Sequence, residues 1–294
     1  MNSQGSIRPR RSVLYMPGAN ARAMEKARAL DCDAIIFDLE DAVAPDAKAA
    51  AREQVAAAVR SGGYGHRELI VRVNALASRW GRDDVAAVAG LAIDGILFPK
   101  IESAAEVGVA IDAIDGAAGR ALSMWAMIET PRAILNIERI AAASPRLTTL
   151  VMGTSDLVNE LRARHMPDRT SVLHALSQCV LAARAYARAA LDGVYLDLED
   201  AAGFRAVCEQ GRALGFDGKT LIHPSQIAPA NAAFGPSDVE IIDARAVVAA
   251  WQDAQQAGKG VAVVAGRLIE NLHAAEAERV LAFATALEKN AAST

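Results

Sequence analysis

The chain has 294 residues, of which 52% are hydrophobic, 22% charged and 4% aromatic. This is an ordinary globular composition, at a length where a core forms without metal or disulfide, so any metal serves chemistry. Its 31 Lys and Arg against 35 Asp and Glu leave a net charge of −4, which lacks the broad basic field of a nucleic-acid binder. No stretch approaches the ~18 consecutive apolar residues of a membrane span, and the apolar run after Arg8, Arg10 and Arg11 is far shorter than an export signal needs. The three cysteines, Cys32, Cys179 and Cys208, are scattered and form no Cys-x-x-Cys pair. The expectation is a soluble cytoplasmic protein whose partners are neither nucleic acid nor membrane.

Short apolar runs, many rich in β-branched residues, follow one another at 12–16, 34–39, 69–73, 95–99, 122–128, 149–152, 193–196 and 219–222. Each is near-continuously apolar rather than alternating, the pattern of strands buried on both faces of a parallel sheet. Alanine-rich helical stretches at 21–30, 47–60, 104–114, 132–142, 171–190 and 203–214 separate them. Eight strand–helix repeats predict an α/β fold, a (β/α)8 TIM barrel over 1–233. A doubly wound sheet would carry a Gly-x-Gly-x-x-Gly turn after its first strand, and Pro17-Gly18-Ala19-Asn20 is not one. Residues 234–294 exceed what closes a barrel and read as a C-terminal helical extension, an appendage to the barrel. Within it a helix spans 237–256 with Ser237 or Asp238 as N-cap, 257–260 ends it, 261–265 is apolar, and 272–287 is a last helix. Gly258-Lys259 is no phosphate loop, because position 253 is Asp and position 260 is neither Ser nor Thr. Gly62, Gly63 and Gly65 read as a surface loop.

Barrel enzymes place their chemistry at the carboxyl ends of the strands. The polar residues there are Tyr15, then Asp38, Glu40 and Asp41, Arg72 and Asn74, Lys100 and Glu102, Glu129, Asp156, Asp197 and His223. Glu129 and Asp156 form the candidate metal pair: hard oxygen ligands without nearby Cys or a second His suit Mg2+. Asp156 alone also fits a first-turn acid favoured by its helix dipole. Arg72 ends an apolar strand, where a guanidinium needs an anion. Two roles stay open for it: a clamp on a substrate carboxylate or enolate, or an ion-pair partner for Glu40 or Asp38. Glu40 joins Arg72 as a candidate catalytic residue. Arg22 and Lys26, four apart on one helix face, suit phosphates at the rim or a solvated surface. His223, before Pro224, reads as a packed, hydrogen-bonded residue rather than a base.

At these positions the sequence resembles the citrate lyase β-subunit-like, HpcH/HpaI-type CoA-ester lyases. The resemblance is carried by Arg11-Ser12-Val13-Leu14-Tyr15-Met16-Pro17-Gly18, Ile36-Phe37-Asp38-Leu39-Glu40-Asp41-Ala42-Val43, Val71-Arg72-Val73-Asn74, Met127-Ile128-Glu129-Thr130, Gly153-Thr154-Ser155-Asp156-Leu157 and Gly218-Lys219-Thr220-Leu221-Ile222-His223-Pro224, in that order. It implies a barrel with Mg2+ on Glu129 and Asp156 and substrate or enolate contact by Arg72. It also implies CoA contacts near Tyr15, Arg22, Lys26 and the Leu196-Asp197 strand end, and a homotrimer or homohexamer. In the lyases of this family a C-terminal Gly-x-x-Ile-Asp block supplies an acid/base to a neighbouring subunit. Here Gly266-Arg267-Leu268-Ile269-Glu270 carries Glu, and the ending through His273 looks more like the malyl-CoA thioesterase branch. The leading expectation is an Mg2+-dependent lyase that splits a short 3-hydroxyacyl-CoA, of malyl-CoA or citramalyl-CoA type, into acetyl-CoA and a 2-oxo acid. The alternatives are a (3S)-malyl-CoA thioesterase on the same class of CoA thioester, and a citrate lyase β-type subunit or non-catalytic barrel. The intact carboxylates and Arg72 argue against a non-catalytic barrel.

Overall fold

The computed structural model describes residues 7–118 and 122–292, which fall into two compact units, 10–234 and a smaller one of 235–292 with 7–9. The larger unit is a closed parallel barrel with its strands in sequence order, as the TIM-barrel expectation requires. The strands are β1 (Ser12–Pro17), β2 (Ala34–Asp38), β3 (Glu68–Arg72), β4 (Gly95–Phe98), β5 (Ser123–Ile128), β6 (Leu147–Met152), β7 (Ala189–Asp192) and β8 (Gly218–Leu221). Around them run α1 (Ala21–Ala27), α2 (Lys48–Ser61), α3 (Gly81–Val88), α4 (Ala104–Ala118), α5 (Pro131–Leu135), α6 (Ile137–Ala142), α7 (Thr154–Glu160), α8 (Leu173–Ala185), α9 (Ala201–Leu214) and α10 (Ile227–Phe234).

The continuous apolar runs have a plain cause. Successive side chains of a strand face opposite ways: Val13, Ile36, Ile70, Leu97, Trp125 and Val151 fill the barrel, while their neighbours Leu14, Ile35, Val71 and Ile96 pack in the larger cluster with the helices. Full burial of each such side chain contributes roughly 1.5–3 kcal/mol. Register then brings inward-facing polar residues to one level at the strand ends, with Asp38 directly beside Arg72 and Tyr15 beside Ile36.

Two expectations are corrected here. The seventh strand is Ala189–Asp192, not 193–196, and the helix expected to run to 190 stops at Ala185. The alanines at 189 and 190 carry high helix propensity, but Ala187 turns left-handed at φ 54° and starts the chain back toward the barrel. The single helix expected over 132–142 is two, α5 and α6, broken at Asn136, whose side-chain amide donates to the Glu102 carbonyl at 3.0 Å.

The smaller unit contains α11 (Asp238–Gln256), an antiparallel hairpin of β9 (Ala262–Val264) and β10 (Arg267–Ile269), and α12 (Asn271–Ala292). Ser237 caps α11 through a reciprocal capping box with Glu240. The hairpin turns on Ala265 and Gly266, both at positive φ, as a two-residue loop demands. Val247, Trp251, Ile269, Ala274 and Ala277 form its core. Among the described residues no helix is long and apolar enough to cross a membrane.

Candidate active site

The carboxyl ends of β2 and β3 carry an ion cluster. Asp38, 1% exposed, takes two 2.7 Å hydrogen bonds from Nε and Nη2 of Arg72 and two more from the backbone N–H groups of Glu40 and Ala42. Nη1 of Arg72 reaches Glu40 at 2.9 Å and Asp41 at 3.3 Å, and its guanidinium lies 4.9 Å from the centre of the Tyr15 ring. Arg72 is therefore an ion-pair partner of Asp38, Glu40 and Asp41 together, with its Nη1 edge turned to the two acids that follow β2. Burial pushes the Glu40 carboxyl up to about 7, against the opposing pull of Arg72 and with help from Asp41 and Asp38. Burial likewise pushes the Tyr15 hydroxyl up, so it stays a donor, to Met127 Sδ at 3.4 Å.

The segment bearing Glu40 is anchored from beneath. The Lys48 ammonium, on α2, donates to the carbonyls of Leu39 and Glu40 and to Asn74 Oδ1 at 2.7–2.8 Å. Asn74 in turn donates to Asp84, which also accepts Arg52 Nε at 2.6 Å. Neither Lys48 nor Asp84 was readable as a support: each sits in an ordinary helical stretch, and only the tertiary fold brings them under the mouth.

Across the mouth Glu129 follows β5, 2% exposed. Its Oε1 accepts the backbone N–H of Lys100 at 2.8 Å. Burial, then the charge of Glu40, pushes its carboxyl up to about 8; the Lys100 amide pulls the other way and Asp156 pushes with Glu40. Asp156 is half-buried in the first turn of α7. The Lys100 ammonium is raised despite burial, which lowers it, because Asp156, Glu129, Glu40 and Asp41 all act on it. Five groups from the turns after β2, β4, β5 and β6 thus share one electrostatic neighbourhood.

The other expected residues are more dispersed. Arg22 and Lys26 are exposed on α1. Leu196 and Asp197 do not end a strand: they lie in the exposed loop after β7, where Asp197 Oδ1 accepts the N–H groups of Glu199 and Asp200. His223 is exposed rather than packed, and its Nδ1 accepts the N–H of Ser225 in a short 3-10 turn. Glu270 belongs to the smaller unit, exposed at the start of α12, where its N–H donates to His273 Nδ1 at 3.0 Å.

The donor set suits a hard divalent cation. Glu129 and Asp156 are carboxylates only, and Glu129 is pushed up by burial and by the charges of Glu40 and Asp156, which the Lys100 amide and the charge of Arg72 do not offset. Among the described residues no group of three or more His, Cys, Asp or Glu is arranged to hold a metal. A cation on these two carboxylates would therefore draw its remaining ligands from water and substrate, the usual habit of Mg2+.

Comparison with known proteins identifies the family. The HpcH/HpaI aldolase/citrate lyase family matches residues 11–224. A (3S)-malyl-CoA thioesterase of Cereibacter sphaeroides is 50% identical over 285 residues, covering 97% of this chain and 98% of the relative. The L-malyl-CoA/beta-methylmalyl-CoA lyase of the same organism is 35% identical over 299 residues, covering 93% and 94%. Among solved structures, CitE of Mycobacterium tuberculosis in complex with magnesium, acetoacetate and coenzyme A superposes with a TM-score of 0.76 at 31% identity, covering 93% of this chain and 97% of that one. With its parallel barrel, its strand-end carboxylates and a match that spans the barrel, the chain belongs to the HpcH/HpaI aldolase/citrate lyase family of enzymes.

Proposed function

We propose that the protein hydrolyses the thioester of a short 3-hydroxyacyl-CoA of the (3S)-malyl-CoA type, with Mg2+ held by Glu129 and Asp156. The observation that carries this is 50% identity, over 97% of the chain, to a (3S)-malyl-CoA thioesterase, against 35% to a malyl-CoA lyase. The carbon–carbon lyase that led the sequence-based expectations gives way to its alternative, in keeping with Glu rather than Asp at position 270.

When bound, the cation supplies Lewis-acid polarisation of the thioester oxygen. Arg72 adds positive charge beside that oxygen, at the Nη1 edge it turns to Glu40 and Asp41. Glu40, with a carboxyl near 7, is suited to act as general base at neutral pH. It takes a proton from the attacking water, the carbon–sulfur bond breaks, and the proton passes to the departing CoA thiolate. The products are a hydroxy acid and free CoA. Arg22 and Lys26 meet the CoA phosphates, Tyr15 lines the passage beneath Arg72, and the Leu196-Asp197 loop meets the nucleotide end.

Incubation with malyl-CoA and citramalyl-CoA, followed by mass spectrometry, tests this. Free CoA with the hydroxy acid is expected; acetyl-CoA with a 2-oxo acid would restore the lyase. Glu270 is proposed to serve a neighbouring copy in a trimer or hexamer. Mixing Glu270→Ala with Arg72→Ala protein should then regenerate activity from two inactive parents, and no recovery despite demonstrated subunit exchange would remove that role.

A further inference from the structure

Lys100 has a backbone φ of 51°, a left-handed conformation that favours glycine and disfavours any residue with a Cβ. Strain of this kind persists only where the surroundings over-determine it, and it gathers at functional sites. Here the surroundings are explicit. Lys100 follows Pro99, and the turn from Lys100 to Glu102 is fastened at three points to the segment 129–136 that follows β5. The Lys100 N–H donates to Glu129 Oε1 at 2.8 Å, the Thr130 hydroxyl to Glu102 Oε1 at 2.7 Å, and the Asn136 amide to the Glu102 carbonyl at 3.0 Å. Glu129 is confined from its other side as well: a Cβ on Gly153 would stand 2.4 Å from Glu129 Cβ and 2.6 Å from its Oε2. One carboxylate oxygen is thus tied to an amide, and the other lies where only a glycine leaves room.

We propose that Lys100 is a positioning residue that acts through its left-handed amide, not its ammonium, and with Gly153 sets the Glu129 carboxylate for the cation. This rests on the metal reading given above. An amide pointed at a ligating carboxylate orients it without occupying its free oxygen, and outer partners of this kind typically alter metal affinity by about 10- to 100-fold. The sequence conceals the device, because a lysine after proline carries no sign that its backbone must turn left-handed.

The test uses the purified full-length protein and Mn2+ as the probe, with free Mn2+ counted by electron paramagnetic resonance. Lys100→Gly and Lys100→Asn keep the left-handed backbone and drop the ammonium; they should bind Mn2+ within about 3-fold of the parent, or tighter. Lys100→Val, whose branched side chain opposes that backbone, and Gly153→Ala should each weaken binding about 10- to 100-fold while circular dichroism is unchanged. If Lys100→Gly loses as much as Lys100→Val, the ammonium is the operative group and the proposal fails. It also fails if Lys100→Val or Gly153→Ala binds as the parent does. Should Lys100→Val not fold, Glu102→Ala, which loosens the turn from its far end, should weaken binding about 10-fold, and unchanged binding there overturns the proposal. If the parent takes no Mn2+, the metal reading is what fails, and amide exchange then decides the positioning. The Lys100 amide should exchange at least about 10-fold faster in Glu129→Ala than in the parent; equal exchange overturns the proposal.

Discussion

Asp192 and Glu129 are both carboxylates at the carboxyl ends of barrel strands, 0% and 2% exposed, and their surroundings are opposite. Asp192 meets two cations: Nη1 of Arg169 at 2.6 Å and Nζ of Lys219 at 3.1 Å, the latter itself 1% exposed. It also accepts the N–H of Gly193, while Lys219 donates to the Gly193 carbonyl. Glu129 meets one backbone amide and is crowded by the charges of Glu40 and Asp156. A buried charge that is fully paired ties strands and loops together, and here it joins β7, β8 and the segment before α8. A buried carboxyl left short of compensation is pushed towards its neutral form, and the cation proposed above would be what restores its charge.

That contrast can be broken at either end. Glu129→Ala or Asp156→Ala should lower Mg2+-dependent turnover by roughly 10³-fold or more with an unchanged circular dichroism spectrum, since the core forms without the ion. Full activity in either variant, with or without chelator, would remove the metal pair. Asp192→Ala should do the reverse. Leaving Lys219 and Arg169 buried without a counter-charge should lower unfolding free energy by about 3–5 kcal/mol, measured by urea denaturation, whereas turnover per folded molecule below the transition stays at the parent value. An Asp192 variant of parental stability would mean the triad is ornamental.

Arg72 stands between the two cases, paired with three acids yet open to the mouth. Arg72→Lys should lose about 10²-fold in kcat, because a single ammonium cannot span Asp38 with two parallel bonds and still face Glu40. Parental kcat in that variant would reduce Arg72 to a simple charge. The smallest effect concerns pH. Glu129 is raised from the ordinary 4.5 to about 8, so between those values the folded protein holds a proton that the unfolded chain has released, and stability falls as pH rises across the window. Glu129→Gln has no proton to lose. It should melt above the parent at pH 9, by roughly 2–4 °C for each kcal/mol relieved, and the gap should close by pH 5. A gap independent of pH would show that Glu129 is not the group responsible.

Most of the barrel was legible because parallel strands buried on both faces leave uninterrupted apolar runs, such as Ile35, Ile36 and Phe37 in β2. β7 was not, since Ala189 and Ala190 suit a helix as well as a strand and only the left-handed Ala187 decides. At the mouth, Asp38, Arg72, Glu129 and Asp156 announced themselves as polar residues that end apolar runs. The supporting residues did not. Lys48 and Asp84 lie in ordinary helical stretches, Lys219 opens an apolar run, and Ala265 looks like a strand residue until Gly266 and the hairpin fix its turn. Spacing reveals which residues share an element; it does not reveal which elements meet.

β1 has two neighbours made at very different times. It pairs with β2 at once, Val13 beside Ala34, but its other edge waits for β8, where Ser12 lies beside Lys219 and Leu14 beside Leu221. Until the ribosome has released that last strand, β1 presents a row of unmatched peptide groups, the kind of edge on which nascent chains stick to one another. Closure is a long-range pairing, of the kind that forms more slowly than local contacts. A chain cut before residue 218 lacks the strand that covers this edge of β1 and leaves the sheet open there.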